Sequence, residues 1–168
     1  MYETPDDLEK LDARMSASIE RAGPFLRSSF QMPEHSLNAR QLTQAVKGVL
    51  PVALATVTAK SEPRVAPIGA FLYRGDFYIP TTMQAARVRH LRRRPAISLT
   101  LYDGIDFAVI VHGQAVILGE DAAEFETLIE IQRSGQGETV RDWGEGAFIR
   151  IDAETIYTYA RYPDRFPE

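Results

Sequence analysis

The sequence has the size and composition of an ordinary globular protein. It has 168 residues, 45% hydrophobic and 25% charged, with a formal net charge of −4, which argues against general binding of nucleic acid. It contains no cysteine, so disulfides, thiolate metal sites and a cysteine nucleophile are excluded.

The first 48 residues are expected to be helical. Thr4, Pro5 and the two aspartates that follow have the composition of a helix start, with a capping hydroxyl and carboxylates near the positive end of the dipole. Hydrophobic residues then recur at helical spacing as far as Gly23 and Pro24, which end the helix. A second short helix is expected between Ser36 and Gly48.

From Pro51 the hydrophobic period changes to two, which predicts strands. The second strand contains Pro67 and Gly69, which predict that its middle lies at a sheet edge or forms a bulge. Many strands and few helices indicate a mainly β fold, a small Greek-key barrel with peripheral helices. The expected strands cover residues 52–58, 63–73, 76–79, 96–102, 107–118, 147–151 and 155–160, and helices cover 83–93 and about 121–133.

The connection between the third strand and the next helix suggests a phosphate site. Thr81 and Thr82 place hydroxyl groups beside the unpaired N–H groups and the positive dipole of a helix start. Arg87 is expected to reach back with a charge-assisted contact, and Arg64 to approach from the barrel. Alternatively, one threonine caps a surface helix and the arginines form a solvated face.

Four segments, in order, resemble the FMN-binding split barrels of the pyridoxamine 5′-phosphate oxidase-like superfamily. They are residues 54–57, 63–68, 77–82 and 85–99. The resemblance implies a split barrel of six or seven strands over residues 49–168, with residues 1–48 as a helical extension of the same single domain. It also implies FMN as cofactor, with coenzyme F420 as the alternative, and a homodimer with cofactor sites at the subunit interface.

The resemblance assigns the flavin ring to the strand that begins at Arg64, and the phosphate to the start of the following helix. That helix often starts Ser-Arg-Lys in the family, whereas this chain has Ala85, Ala86 and Arg87. One hydroxyl and one charge are therefore missing, and we expect Thr82 and Arg89 to compensate. The implied cofactor-binding residues are Arg64, Val65, Ala66, Pro67, Thr81, Thr82, Arg87 and Arg89.

We expect an oxidoreductase that moves a hydride between an FMN- or F420-type cofactor and a small organic substrate. No catalytic side chain is identified, since the cofactor supplies the chemistry. The oxidase activity itself is not expected, because its Arg- and His-rich C-terminal signature is missing from residues 159–167. The alternative is a non-catalytic protein that stores or senses a flavin or haem.

Three further expectations concern metals, location and the single tryptophan. His35, His90 and His112 lack partners at metal-ligand spacing, so no metal site is expected. The acidic N-terminus without a secretory leader and the lack of a long apolar run predict a cytoplasmic protein that does not associate with membranes. Trp143, after a glycine-rich loop, either covers the cofactor or, as we favour, plugs the core.

Overall fold

A closed barrel of six antiparallel strands forms the centre of the computed structural model, which describes residues 2–166. The strand order around the barrel is β1-β2-β3-β6-β5-β4. The predicted mainly β barrel with an N-terminal helix is therefore confirmed. The strands are β1 (Leu50–Val57), β2 (Pro63–Tyr73), β3 (Asp76–Thr82), β4 (Ala96–Asp103), β5 (Phe107–Leu118) and β6 (Gly146–Ala160).

Five α-helices accompany the barrel in the described part of the chain. They are α1 (Pro5–Arg21), α2 (Pro24–Ser29), α3 (Ala39–Ala45), α4 (Ala86–Arg93) and α5 (Phe125–Gln136), with 3₁₀ turns at Val140–Trp143 and Pro163–Arg165. The predicted start of α1 is confirmed, because Thr4 and Asp7 form a reciprocal capping box. The short helix α2 was not predicted. No helix within residues 2–166 is long and apolar enough to cross a membrane.

The barrel interior is filled by alternate residues of each strand. Leu54, Leu99, Val111 and Ile156 lie side by side on four successive strands and are all buried. The intervening residues of β1, such as Ala53 and Ala55, therefore face outward.

Strand β2 is an edge strand over most of its length, as Pro67 and Gly69 predicted. Residues 63–70 pair with β1, while pairing with β3 is confined to Phe71–Tyr73 within the described chain. The amide of Thr58 bonds the carbonyl of Glu62 at 3.0 Å, so the ladder bonds to β1 fall on even-numbered residues of β2. The backbone groups of Val65 and Gly69 therefore face the open side.

The last part of the chain is one strand, and the prediction of two closing strands was wrong. The polar residues 152–154 suggested a break, but β6 continues through them because a register shift between His112 and Gly113 absorbs the irregularity. Gly113 lies against β6 so closely that a Cβ atom there would be 2.3 Å from the Asp152 carbonyl oxygen.

Helix α1 is bound to the barrel by both apolar and polar contacts. Leu8, Leu11 and Met15 belong to the barrel core. The buried Ser18 hydroxyl accepts a bond from the amide of Ile156 at 3.1 Å. Helix α1 therefore completes the core of the barrel.

A second core lies outside the barrel, between its wall and α5. Tyr78 of β3 is 4% exposed in this cluster and stacks on Phe71 with ring centroids 5.9 Å apart. Burial, assisted by the negative charge of Asp76, raises the pKa of Tyr78 to about 12. The neutral phenol is therefore the form that the folded state favours.

This pKa predicts a loss of stability at high pH. An unfolded tyrosine titrates near about 10, so stability is fully present below that pH and falls as pH rises toward about 12. Urea denaturation of wild type and Tyr78→Phe at several pH values measures the effect. As pH rises from below about 10 to about 12, the free energy of unfolding should fall by about 2–3 kcal/mol more in the wild type than in the variant. If the free energies of unfolding of the two proteins change with pH in parallel, the assignment is contradicted.

Candidate cofactor site

The connection from β3 to α4 differs from the predicted helix start. Thr81 and Thr82 remain in the ladder with β6, opposite Ala147 and Gly146. Helix α4 begins at Ala86, and its N-cap, Ala85, makes no side-chain capping bond. The alternative that a threonine caps the helix is therefore wrong, and both hydroxyls belong to the end of a strand.

Arg87 and Thr81 form the polar centre of this region. The Arg87 Nη1 atom donates to Thr81 Oγ1 at 2.9 Å, and Thr81 is 2% exposed. Arg87 is half-buried and has no carboxylate within ion-pair distance among residues 2–166. Burial lowers the pKa of Arg87 below its ordinary value, yet a guanidinium stays protonated at neutral pH. The result is a partly desolvated positive charge without a carboxylate counterion among residues 2–166.

The first turn of α4 adds further hydrogen-bond donors. Within the described chain, the backbone amides of Ala86 and Arg87 have no acceptor. They lie at the positive end of the helix dipole, where an anion is stabilised. The guanidinium and the helix start therefore present a consistent set of donors to an anionic group.

Two cavities meet at Arg87, and we name them by the strands that form them. The β2 cavity, of about 340 Å³, is lined by Leu54, Thr56, Arg64, Val65, Ala66, Ala86, Arg87 and His90. The β3 cavity, of about 140 Å³, is lined by Ile68, Gly69, Pro80, Thr81, Thr82, Arg87, Gln136 and Trp143. The structure thus brings six of the eight predicted residues to two adjoining cavities that share one arginine.

Pro67 and Arg89, the other two, lie elsewhere. Pro67 is exposed on β2 and lines neither cavity. Arg89 donates from Nη1 to the Gln84 carbonyl oxygen at 2.8 Å and lines a separate cavity on the other side of α4. Arg87 therefore stands without the second arginine that was expected beside it.

Arg64 differs from Arg87 in its charge environment. It is exposed, and its Nη2 atom lies 2.8 Å from Glu62 Oε2. Its Nη1 atom donates to the Pro63 carbonyl oxygen at 2.9 Å. Because its charge is already paired, Arg64 attracts an anion less strongly than Arg87 does.

The sequence interpretation missed Thr56 and His90. The His90 Nδ1 atom lies 3.0 Å from Thr56 Oγ1, and both residues line the β2 cavity. A signal existed for each. Thr56 pairs with Arg64 in the predicted hairpin, and His90 is three residues after Arg87 on the same helix face.

The preferred interpretation of Trp143 as a core plug was wrong. Its side chain is 43% exposed, lines the β3 cavity, and donates from Nε1 to Glu138 Oε2 at 3.1 Å. The buried position is occupied by Val140 of the same 3₁₀ turn. Trp143 and Gln136, which also escaped prediction, therefore flank the threonines from distant parts of the sequence.

A site built for a ligand should contribute little to the stability of the ligand-free protein. Thr81→Val with Arg87→Met removes both partners of the hydrogen bond and keeps similar shapes, so stability should be unchanged or raised by about 1 kcal/mol. Arg87→Met alone leaves a buried hydroxyl unpaired and should destabilise by about 1–3 kcal/mol. Urea denaturation measures both, and a large loss in the double variant would show that the pair is structural.

Solved structures of similar fold include proteins of different activities. A conserved hypothetical protein, Rv2991 from Mycobacterium tuberculosis, is 17% identical with a TM-score of 0.58, covering 88% of this chain and 90% of its own. An F420 reductase is 16% identical with a TM-score of 0.54, covering 66% and 91%. The haem storage protein HutZ from Vibrio cholerae is 16% identical with a TM-score of 0.57, covering 83% and 95%. At identities this low, the structural similarity shows a common fold and nothing more.

The family assignment rests on the sequence match. No curated protein sequence matches the chain. The family model described as pyridoxamine 5′-phosphate oxidase matches residues 39–160, which include all six strands, α4 and both cavities. The chain therefore belongs to the pyridoxamine 5′-phosphate oxidase family of split barrels.

Proposed function

We propose that this protein is an oxidoreductase that binds a phosphate-bearing flavin-type cofactor, FMN or coenzyme F420, and acts on a small organic substrate. The observation that carries the proposal is the half-buried charge of Arg87, which lacks a carboxylate partner among residues 2–166. Arg87 lies where the two cavities meet, and the barrels of this family bind cofactors.

The phosphate is assigned to Arg87, Thr81 and the first turn of α4. One Arg87 nitrogen is held by Thr81, which fixes the guanidinium plane and leaves its other N–H groups for a charge-assisted bond. The amides of Ala86 and Arg87 supply neutral donors beside it. This donor set fits a phosphate monoester or diester.

The cofactor ring is assigned to the β2 cavity. Val65, Ala66 and Ala86 offer it an apolar wall. Because β2 is an edge here, the outward backbone groups of Val65 can bond the polar edge of a flat ring.

Catalysis in this proposal depends on orientation. A bound flavin-type ring supplies the hydride chemistry. The chain fixes the phosphate at Arg87 and the ring against β2, so that one ring face remains open to a substrate. The similar F420 reductase supports the deazaflavin form of the proposal, and the missing hydroxyl at Ala85 and the missing positive charge at Ala86 should weaken FMN binding.

A homodimer is part of the proposal, because the chain lines the β2 cavity on one side and leaves the other side open. Val65 is 69% exposed beside this cavity, and the adjoining Ala53, Ala55 and Ser98 form a surface of small side chains. A second copy seated there would cover the ring and shield it from water.

Sedimentation velocity tests the dimer. The wild type should sediment as a dimer and Ala55→Arg as a monomer, because the new charge lies between Val65 and Ser98. Gln114→Arg is the control, since Gln114 is exposed and its amide bonds Glu154. A wild type that remains monomeric when saturated with cofactor would refute this part of the proposal.

Haem binding without catalysis is the second candidate. His90 lies on the wall of the β2 cavity with its Nδ1 atom beside Thr56, so its Nε2 atom would be the nitrogen that binds the haem iron. The fold shared with HutZ supports this alternative.

Fluorescence titration with FMN, F420 and haemin tests the cofactor site, with Trp143 as an intrinsic reporter at its edge. The Thr81→Val, Arg87→Met double variant should weaken binding of the cognate flavin by about 1.5–3 kcal/mol, or roughly 10- to 150-fold in Kd. Arg40→Ala is the control, because it removes a cation at an exposed position on α3. This variant should bind the flavin with the affinity of the wild type.

The titration separates the candidates. Binding of FMN or F420 that depends on Arg87, followed by acceptor-dependent oxidation of the reduced cofactor, supports an oxidoreductase, whereas saturable binding without turnover indicates storage. Haemin binding that is lost in His90→Ala favours the second candidate. If neither flavin binds, the proposed function is wrong.

A further inference from the structure

A third cavity, of about 380 Å³, lies between the β1–β2 turn and α4. It is lined by Lys60 and Glu62 of the turn and by Arg89, His90 and Arg93 of the helix, among others. His90 also lines the β2 cavity, so one imidazole side chain borders both. We call this third space the turn cavity.

The cations of the turn cavity have no acidic partner of their own in the part of the chain that the structure describes. Within the described chain, the side chains of Lys60 and Arg93 make no hydrogen bond or ion pair, and Arg89 bonds a backbone carbonyl. Elsewhere on this acidic chain, arginines are commonly paired with carboxylates, as Arg14 is with Asp76 and Arg161 with Asp106.

The carboxylate in this cavity does not neutralise the cluster. Glu62 is bound at 2.8 Å by Arg64, which stands on the side of the β2 cavity. The three cations, which have no carboxylate partner among residues 2–166, come from two facing elements, since Arg89 and Arg93 lie one turn apart on α4 and Lys60 lies in the β1–β2 turn. Three cations from two facing elements therefore line one cavity.

We propose that the turn cavity is a second anion-binding site, which takes a carboxylate or phosphate group in addition to the one assigned to Arg87. The group has two possible sources, a separate small anion or an anionic extension of the cofactor beyond its phosphate. The second source depends on the proposed function, and the first does not.

Isothermal titration with inorganic pyrophosphate tests the site, using the Thr81→Val, Arg87→Met background to remove the first anion site. Adding Lys60→Ala and Arg93→Ala should weaken pyrophosphate binding at least about tenfold, as expected for lost charge-assisted bonds. Adding Arg40→Ala and Arg133→Ala, two exposed cations elsewhere, should leave it unchanged.

A second titration, with Thr81 and Arg87 intact, distinguishes the sources. If Lys60→Ala with Arg93→Ala weakens binding of F420, which carries carboxylates beyond its phosphate, but not of FMN, the site holds an extension of the cofactor. If pyrophosphate binding alone is weakened, the site holds a separate anion, a result that stands even if no flavin binds. The proposal is wrong if F420 affinity is unaffected and the Thr81→Val, Arg87→Met background either binds no pyrophosphate or responds alike to both double replacements.

Discussion

The hydrogen bond of 2.9 Å between Arg87 and Thr81 connects helix α4 to the barrel and fixes the geometry of the site. Thr81 is held by its ladder with β6, so the guanidinium is anchored to the sheet of the barrel. Without this bond a half-buried arginine would be free to turn toward solvent. The bond therefore fixes a cation at the junction of two cavities.

Helix α4 then distributes its side chains by helical spacing. Val88 and Leu91 are buried against the barrel. Arg87 and His90 border the β2 cavity, whereas Arg89 and Arg93 border the turn cavity. One short helix thus separates two spaces of different character, one with an apolar wall and one surrounded by cations.

Much of this architecture can be predicted from the sequence, because the alternation of hydrophobic residues indicates each strand from β1 to β5 and the capping residues locate α1. The candidate residues Arg64, Thr81 and Arg87 follow from the same local patterns. The continuity of β6 does not, since it depends on a bulge at Glu154, which lies between the β6 partners of His112 and Gly113.

The contributions of Trp143 and Gln136 likewise depend on tertiary packing. No local sequence pattern indicates that Val140 is the buried residue of the 3₁₀ turn that contains Trp143. None indicates that the side chains of Trp143 and Gln136 lie beside the end of β3. The start of α4 was misplaced for a related reason, because pairing with β6 keeps Thr81 and Thr82 extended.

The open edge of β2 has a consequence for solubility. An unpaired strand edge is a template on which strands of other chains can add, and an edge with exposed apolar residues such as Val65 is especially prone to this. Pro63 and Pro67 interrupt the row of backbone donors at two outward positions. A flat, compact ligand can still bond the backbone groups that remain between the two prolines. A strand of another chain would instead find gaps in its hydrogen-bond ladder. The prolines therefore leave the edge accessible to a small molecule and protect it from aggregation.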